Sequence, residues 1–377
     1  MRTYITFEGK AFFFQKKVLG LFLIWLVIGL GVFGQIHFLD YGDYEETLFN
    51  ELNDTRVVLR SVEMYYRESE TEVTLADNLY EQQRLVAMKY NGVKFKESDW
   101  LYDAGVDLAQ LRLAADEYSD EKVPSSLFPT PDISERELVE YQTMQEEQLP
   151  IRTDSKNVYD YSKRTLTIFS TLAFLFTLLL SADVGLRDLS HSTLVKSYPI
   201  QANTRKLIQT SIITLGGTVG LLFLTGMTHI LAQGIWHTND WLRPIGYYSK
   251  LGYQTIYLYQ YLLRFAMYLF ALMIHTTLFS FLVNQVFKNK YVTIMFGISL
   301  YGASFLLSNM QGWVRWLPLS YYQMEAVLTG FLAEQVHPQM YDIYGIFVLL
   351  SWGIIFLGLS FLLTNPQKRK ENYDAAD

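Results

Sequence analysis

The sequence predicts an all-α integral membrane protein: six transmembrane helices plus a helical extracytoplasmic domain. Three observations predict it. Half of the 377 residues are hydrophobic, the apolar residues gather into six long runs, and charge is divided unevenly along the chain. From Asp40 to Asp160 there are 28 acidic and 12 basic side chains, a net charge of −16, whereas the remainder carries 10 acidic and 19 basic, a net of +9. One stretch is built for water and the rest for a bilayer.

A helix needs about 20 mostly apolar residues to cross the hydrocarbon core, because each residue rises only about 1.5 Å. Six runs qualify: Val18 to Phe38, Thr165 to Ala182, Leu207 to Ala232, Tyr261 to Phe287, Tyr291 to Leu307 and Ile343 to Thr364. The fifth is the shortest. The first follows Lys16 and Lys17 like a signal peptide, but it continues through Phe38 without a small-residue cleavage site, so it is expected to be a retained span.

Orientation follows from the short loops, since the cytoplasmic side is enriched in Lys and Arg. Arg2, Lys10, Lys16 and Lys17 precede span one; Arg187, Lys196, Arg205 and Lys206 lie between spans two and three. Lys288 and Lys290 separate spans four and five, and Lys368, Arg369 and Lys370 follow span six. All fall on one side. The opposite loops hold only Arg243, Lys250 and Arg315, beside Trp236, Trp241, Trp313 and Trp316, which suit the interfacial aromatic belt. Both termini are therefore expected in the cytoplasm and residues 39–164 outside it, in a multi-pass protein of the cell membrane.

Within the acidic domain, Leu48, Leu52, Leu59 and Val62 recur at helical spacing. A second helical pattern runs from Leu75 to Tyr90 and breaks at Asn91-Gly92; a third runs from Trp100 to Tyr118. Pro124 to Pro131 reads as a linker, after which Ser134 with Glu137 reads as a capping box opening a helix to about Gln148. Alternating strand patterns are few, so a small helical bundle is expected. Its acidity reads first as a solvated face, and second as a surface for cations or basic peptides.

Several chemistries are excluded. With no cysteine there are no disulfides, thiolate metal sites or cysteine nucleophiles. No G-x-x-x-x-G-K-[ST] phosphate loop exists, so the chain does not hold ATP in the manner of P-loop proteins. The six histidines, at 37, 191, 229, 237, 275 and 337, never take a metal-ligand spacing. Asp183 and Arg264 stand at span ends and no span carries a charge in its middle, which argues against an ion-coupled carrier. His275 lies within span four, where an interhelical hydrogen bond is the expected use and a proton relay the alternative. Gly216 and Gly220 place a G-x-x-x-G face on span three, suited to internal helix packing or, second, to subunit contact.

The loop between spans two and three is the most informative segment. It begins charged at Arg187 and Asp188, passes through Lys196 and breaks at Ser197, Pro199 and Ile200. This resembles the corresponding loop of ABC transporter permeases of the type 2 exporter family, where an acidic-basic pair and a short coupling helix precede a Ser-x-Pro-Ile-like break. The family's usual Gly-Thr-Leu is replaced by Ser190-His191-Ser192. Two more segments agree. Tyr4 to Lys17, with Phe7, Phe12 and Phe14 among Glu8, Lys10, Lys16 and Lys17, is similar to the family's interfacial helix. Trp316 to Gly330, with Pro318, resembles its outer loop of short re-entrant helices.

The resemblance implies a division of the chain into an interfacial helix at 1–17, span one at 18–38, an acidic helical insertion at 39–164, spans two to six at 165–364 with a coupling loop at 183–206, and a tail at 365–377. It implies a permease subunit of an ATP-driven ABC exporter, paired with a second copy or a sister permease in membrane lipid, on separate cytoplasmic ABC ATPase subunits that bind the ATP. Arg187, Asp188, Lys196, Ser197, Pro199 and Ile200 would form the surface that meets the ATPase. This chain would carry no cofactor, metal or catalytic residue and bind no nucleic acid. Aromatic-rich spans without buried charge suit a hydrophobic or amphipathic cargo such as a peptide, toxin or lipid-linked molecule. The competing class is a non-transporting receptor or scaffold whose outer domain senses a ligand; a membrane enzyme is third.

Overall fold

Helices dominate the computed structural model, which describes residues 2–65, 70–117, 129–151, 154, 156–186, 200–238, 240–306 and 312–364. The chain divides into two compact units: Met1–Leu30 with Arg164–Ile230 and Leu262–Asp377, and Gly31–Lys163 with Leu231–Tyr261.

The first unit opens with α1 (Arg2–Phe13), and α2 (Lys16–Leu39) begins after a two-residue break. The long helices follow as α7 (Val158–Ser181), α8 (Ala202–Trp236), α9 (Leu258–Phe287), α10 (Lys290–Ser304) and α13 (Asp342–Thr364). Between α10 and α13 lie two 3₁₀ turns, Trp313–Trp316 and Pro318–Tyr321, and two short helices, α11 (Met324–Leu328) and α12 (Phe331–Gln335). Aromatic packing knits α2 to its neighbours. Trp25 is fully buried, stacks on Phe169 at 4.1 Å and donates its indole N–H to Thr225 Oγ1 at 3.0 Å.

Among the described residues five helices, α2, α7, α8, α9 and α13, are long and apolar enough to cross a membrane. Leu23, Val219, Ile230 and Ile354 point away from the protein with 60% or more of their surface exposed, an arrangement that water disfavours and lipid does not. The protein is therefore membrane-embedded and almost entirely helical. The fifth run of the sequence does not reach full length. Asn289 caps α10 through Tyr291 N–H, the helix stops at Ser304 after 15 residues, and the chain turns at Phe305. A run of apolar residues sets where a helix is tolerated, while caps and turns set where it stops.

The second unit is built on α3 (Tyr44–Tyr65), α4 (Glu70–Phe95), α5 (Ser98–Glu117) and α6 (Pro131–Glu146). Its core joins Leu48, Val93, Leu101, Tyr102, Tyr141 and Met144, with Leu52, Leu85, Val86, Ala104 and Leu108 in a second cluster. Two expectations are corrected here. The helix expected to break at Asn91-Gly92 runs on to Phe95, because Gly92 is where α4 and α5 touch: a Cβ there would stand 2.8 Å from Leu101 N. The helix expected to open at Ser134 starts at Pro131 instead. Thr130 is the N-cap without a side-chain cap bond, and Ser134 is buried inside the helix; proline's fixed φ favours the first helical position.

This unit also holds a β-hairpin that the sequence pattern did not reveal: β1 (Pro244–Ser249) pairs antiparallel with β2 (Gly252–Tyr257), Ile245 opposite Ile256 and Tyr247 opposite Gln254. Gly252, at φ +96°, supplies the turn. The hairpin lies on α6. Gly246 N–H donates to Glu140 Oε1 at 2.7 Å, and any side chain at Gly246 would collide with Arg136.

Candidate functional site

Of the residues expected to meet an ATPase, Arg187, Asp188, Lys196, Ser197 and Pro199 lie outside the described residues; Ile200 is described. What the structure does describe is how the chain is fastened on either side of that segment.

On the entering side α7 ends at Ser181, and Gly185 turns the chain in the left-handed region at φ +75°. Asp183 Oδ1 pairs with Lys17 Nζ, from the first turn of α2, at 2.6 Å. Both side chains are only about a third exposed or less, so the pair is screened less than a fully exposed one. The backbone here is also held. Asn284 on α9 donates its amide group to the carbonyls of Ala182 and Val184, each at 2.9 Å, while its own Oδ1 accepts from Thr293 on α10 at 2.6 Å. One buried side chain thus satisfies two carbonyls past the end of α7 that have no helical partner. A turn earlier, the Ser181 and Ser280 hydroxyls lie 3.0 Å apart, again linking α7 to α9.

On the leaving side Arg205 donates to the Ile200 carbonyl at 2.7 Å, folding the start of α8 onto itself, and the Lys206 ammonium lies 5.7 Å from the centre of the Phe281 ring on α9. One turn on, Gln209 donates to the Tyr4 hydroxyl and to Glu8, both at 3.4 Å. Glu8 is buried on α1, and Phe12 packs beside it. Gly216 and Gly220 continue this face: a Cβ at Gly216 would press on the Phe12 ring, and one at Gly220 would collide with Phe22. The two glycines therefore receive rings from α1 and α2 of the same chain.

Lys17 and Asp183 were legible only as charges near span ends, and Arg264 likewise; it pairs with Asp342 at 3.5 Å. Glu8 was legible only as one charge of the stretch likened to an interfacial helix, and Asn284 and Gln209 only as polar side chains inside an apolar run, which in a bilayer is itself a reason to look for a partner.

Deeper in the same unit, His275 Nδ1 lies 3.0 Å from the Leu349 carbonyl and Nε2 lies 3.0 Å from the Tyr322 hydroxyl. The neutral ring therefore donates from Nδ1 to Leu349 and accepts from Tyr322 at Nε2. Tyr322 in turn stacks on Phe174 at 4.1 Å. The histidine ties α9 to α13 and to the short-helix segment. A backbone carbonyl ends the chain of groups, so this arrangement does not pass a proton onward. Among the described residues no group of three or more His, Asp or Glu side chains is placed to hold a metal ion.

Comparison with protein-family models, curated proteins and solved structures gives no match to this chain.

Proposed function

We propose that this chain is the membrane, or permease, subunit of an ATP-driven ABC exporter. Both termini lie in the cytoplasm, residues 39–164 lie outside the cell membrane, and the segment around Arg187 to Ile200 meets separate ABC ATPase subunits. The observation that carries the reading is the fastening of both ends of that segment. Lys17 and Asn284 grip the chain at 182–184, while Tyr4 and Glu8 hold Gln209 near the start of α8 and Phe12 packs at Gly216 farther along it. A push on a loop whose ends are tied to α1, α2 and α9 reaches several helices at once, whereas a loose connector would absorb it.

In this reading two permease copies, or this chain and a sister permease, share the ATPase pair. ATP shifts the membrane equilibrium only through its different affinity for the two states. The chain conducts a hydrophobic or amphipathic cargo and performs no covalent chemistry itself.

The test is the double reversal Arg187→Glu with Asp188→Lys, measured by co-purification with the ATPase and by export at matched expression. Exposed ion pairs are each worth about 0–1 kcal/mol, so single changes act weakly, while reversing both replaces attraction with repulsion. The double variant is expected to insert normally but to lose the ATPase or to uncouple hydrolysis from export. Normal assembly and export, or robust ATP hydrolysis by the purified chain alone, would overturn the reading.

A further inference from the structure

The second unit holds a partly open cavity of about 220 Å³, room for roughly seven waters at about 30 Å³ each. Four tyrosines, Tyr44, Tyr102, Tyr141 and Tyr159, line it. Tyr102 donates its hydroxyl to the Leu149 carbonyl and Tyr159 to the Pro244 carbonyl, so these two hydroxyls are already used within the chain.

Among the described side chains that line the cavity, the charges are nearly but not fully balanced. Glu137 is drawn to Arg112 at 3.2 Å, leaving Glu140, Asp154 and Asp160 facing Lys163 and Arg243. On the cavity wall itself, three carboxylates against two cations leave one negative charge over, with Arg136 and Lys156 as the next cations out. The chain's own cations already show how such a group sits here: Lys163 Nζ lies 5.8 Å and the Arg243 guanidinium 6.0 Å from the centre of the Tyr159 ring, the range of a cation–π contact. A third observation concerns hydroxyl protons. Tyr44 and Tyr141 have their oxygens 3.0 Å apart, so one donates to the other and the second O–H is left to donate elsewhere. A ligand that brings a carbonyl oxygen beside its cation satisfies both needs.

We propose that this cavity binds the cationic side chain of a peptide, an arginine or lysine head group against the tyrosine rings and the excess carboxylate, with a peptide carbonyl accepting from the Tyr44–Tyr141 pair. The proposal deepens the exporter reading by naming a cationic peptide as the substrate class, and it rests on that reading for its meaning in the cell. Its test does not, because it reads binding to this chain without any ATPase.

The full-length protein is placed in nanodiscs of zwitterionic lipid and titrated, at physiological salt, into fluorescein-labelled tri-arginine amide, with tri-citrulline amide as the uncharged isostere; anisotropy reports binding. Tri-arginine is expected to bind and tri-citrulline to bind at least tenfold more weakly. Asp154→Asn with Asp160→Asn turns the excess charge positive and is expected to weaken tri-arginine binding by roughly tenfold or more. Glu97→Gln with Asp107→Asn, which removes two exposed carboxylates elsewhere on the unit, is expected to change it less than about threefold. Lys163→Met removes an internal competitor and is expected to tighten binding by roughly threefold or more, a gain that misfolding does not produce. Equal binding of tri-citrulline, equal losses in the two double variants, or weaker binding by Lys163→Met would each overturn the proposal while leaving ATPase co-purification as an independent matter.

Discussion

Glu51 is the hinge of an ionic cluster inside the second unit, and its removal has a calculable effect. Its carboxylate pairs with Lys89 at 3.6 Å and with Arg112, whose other arm reaches Glu137. The Lys89 side chain is 3% exposed and that of Arg112 is 7% exposed, against 24% for Glu51. Burial by itself would raise the Glu51 pKa, but Lys89 and then Arg112 outweigh it and hold the carboxyl below its ordinary value. Glu51→Gln keeps the shape and leaves the Lys89 ammonium buried without that carboxylate. Breaking a buried pair from one side costs about 3–5 kcal/mol. Because Glu51 is partly solvated, the lower end applies, about 3 kcal/mol, or roughly a hundredfold in the opening equilibrium. Hydrogen exchange of the full-length protein reads this directly: amides of α4 and α5 should exchange about a hundredfold faster, while those of α9 should not change. Glu51→Gln with Lys89→Met removes the stranded charge as well and should recover much of the protection. Exchange in α4 and α5 that stays within about threefold of the parent protein would refute the reasoning.

Three further outcomes follow from the same structure. Since the folded pKa of Glu51 is depressed, its stabilisation is fully present above the unfolded value of about 4.3 and is lost as pH falls through the lower folded value. Protection of α3 to α5, corrected for intrinsic exchange rates, should therefore be flat between pH 6 and 8 and fall below about pH 4, with a smaller acid-dependent loss in Glu51→Gln. His275→Phe strands the Tyr322 hydroxyl in a buried site and should cost about 1–3 kcal/mol by thermal or denaturant melting; adding Tyr322→Phe should restore part of it, and an additive loss would count against the hydrogen bond. Single cysteines at Glu81 and Asp116, in a chain with no cysteine of its own, should react with an impermeant reagent in intact cells, while those at Ser192 and Asn372 should not; labelling at Ser192 would reverse the topology.

Much of the helical architecture was readable because burial in a bilayer demands long apolar runs, and such runs survive errors of several residues at each end. The helices of α3 and α5 were readable for a related reason, the three-four spacing of Leu48, Leu52 and Leu59 and the apolar pattern from Trp100. What escaped was set by contacts between distant segments. Gly92 reads locally as a break, yet it lies inside a helix because Leu101 comes close. The hairpin at Pro244–Tyr257 is a short aromatic run around Gly252, and its placement depends on Glu140 and Arg136, about a hundred residues earlier in the chain. The fastening residues were hidden for the same reason: nothing near Asn284 in sequence announces that its partners are the carbonyls of Ala182 and Val184. The charged pair and proline of the segment between α7 and α8, Arg187, Asp188 and Pro199, lie outside the described residues.

The brevity of α10 has a consequence for the surrounding lipid. Fifteen residues rise about 22 Å, whereas the hydrocarbon core is about 30 Å thick; the neighbouring α9, with 30 residues, rises about 45 Å. Tyr291, Met295, Phe296 and Ile298 leave about half or more of their surface uncovered along α10. Were α10 to face lipid, its apolar band would fall short of the full hydrocarbon core, a mismatch that costs fractions of a kcal/mol per Å. A thinner bilayer of short-chain lipids would narrow that gap, while α9 would meet it by tilting.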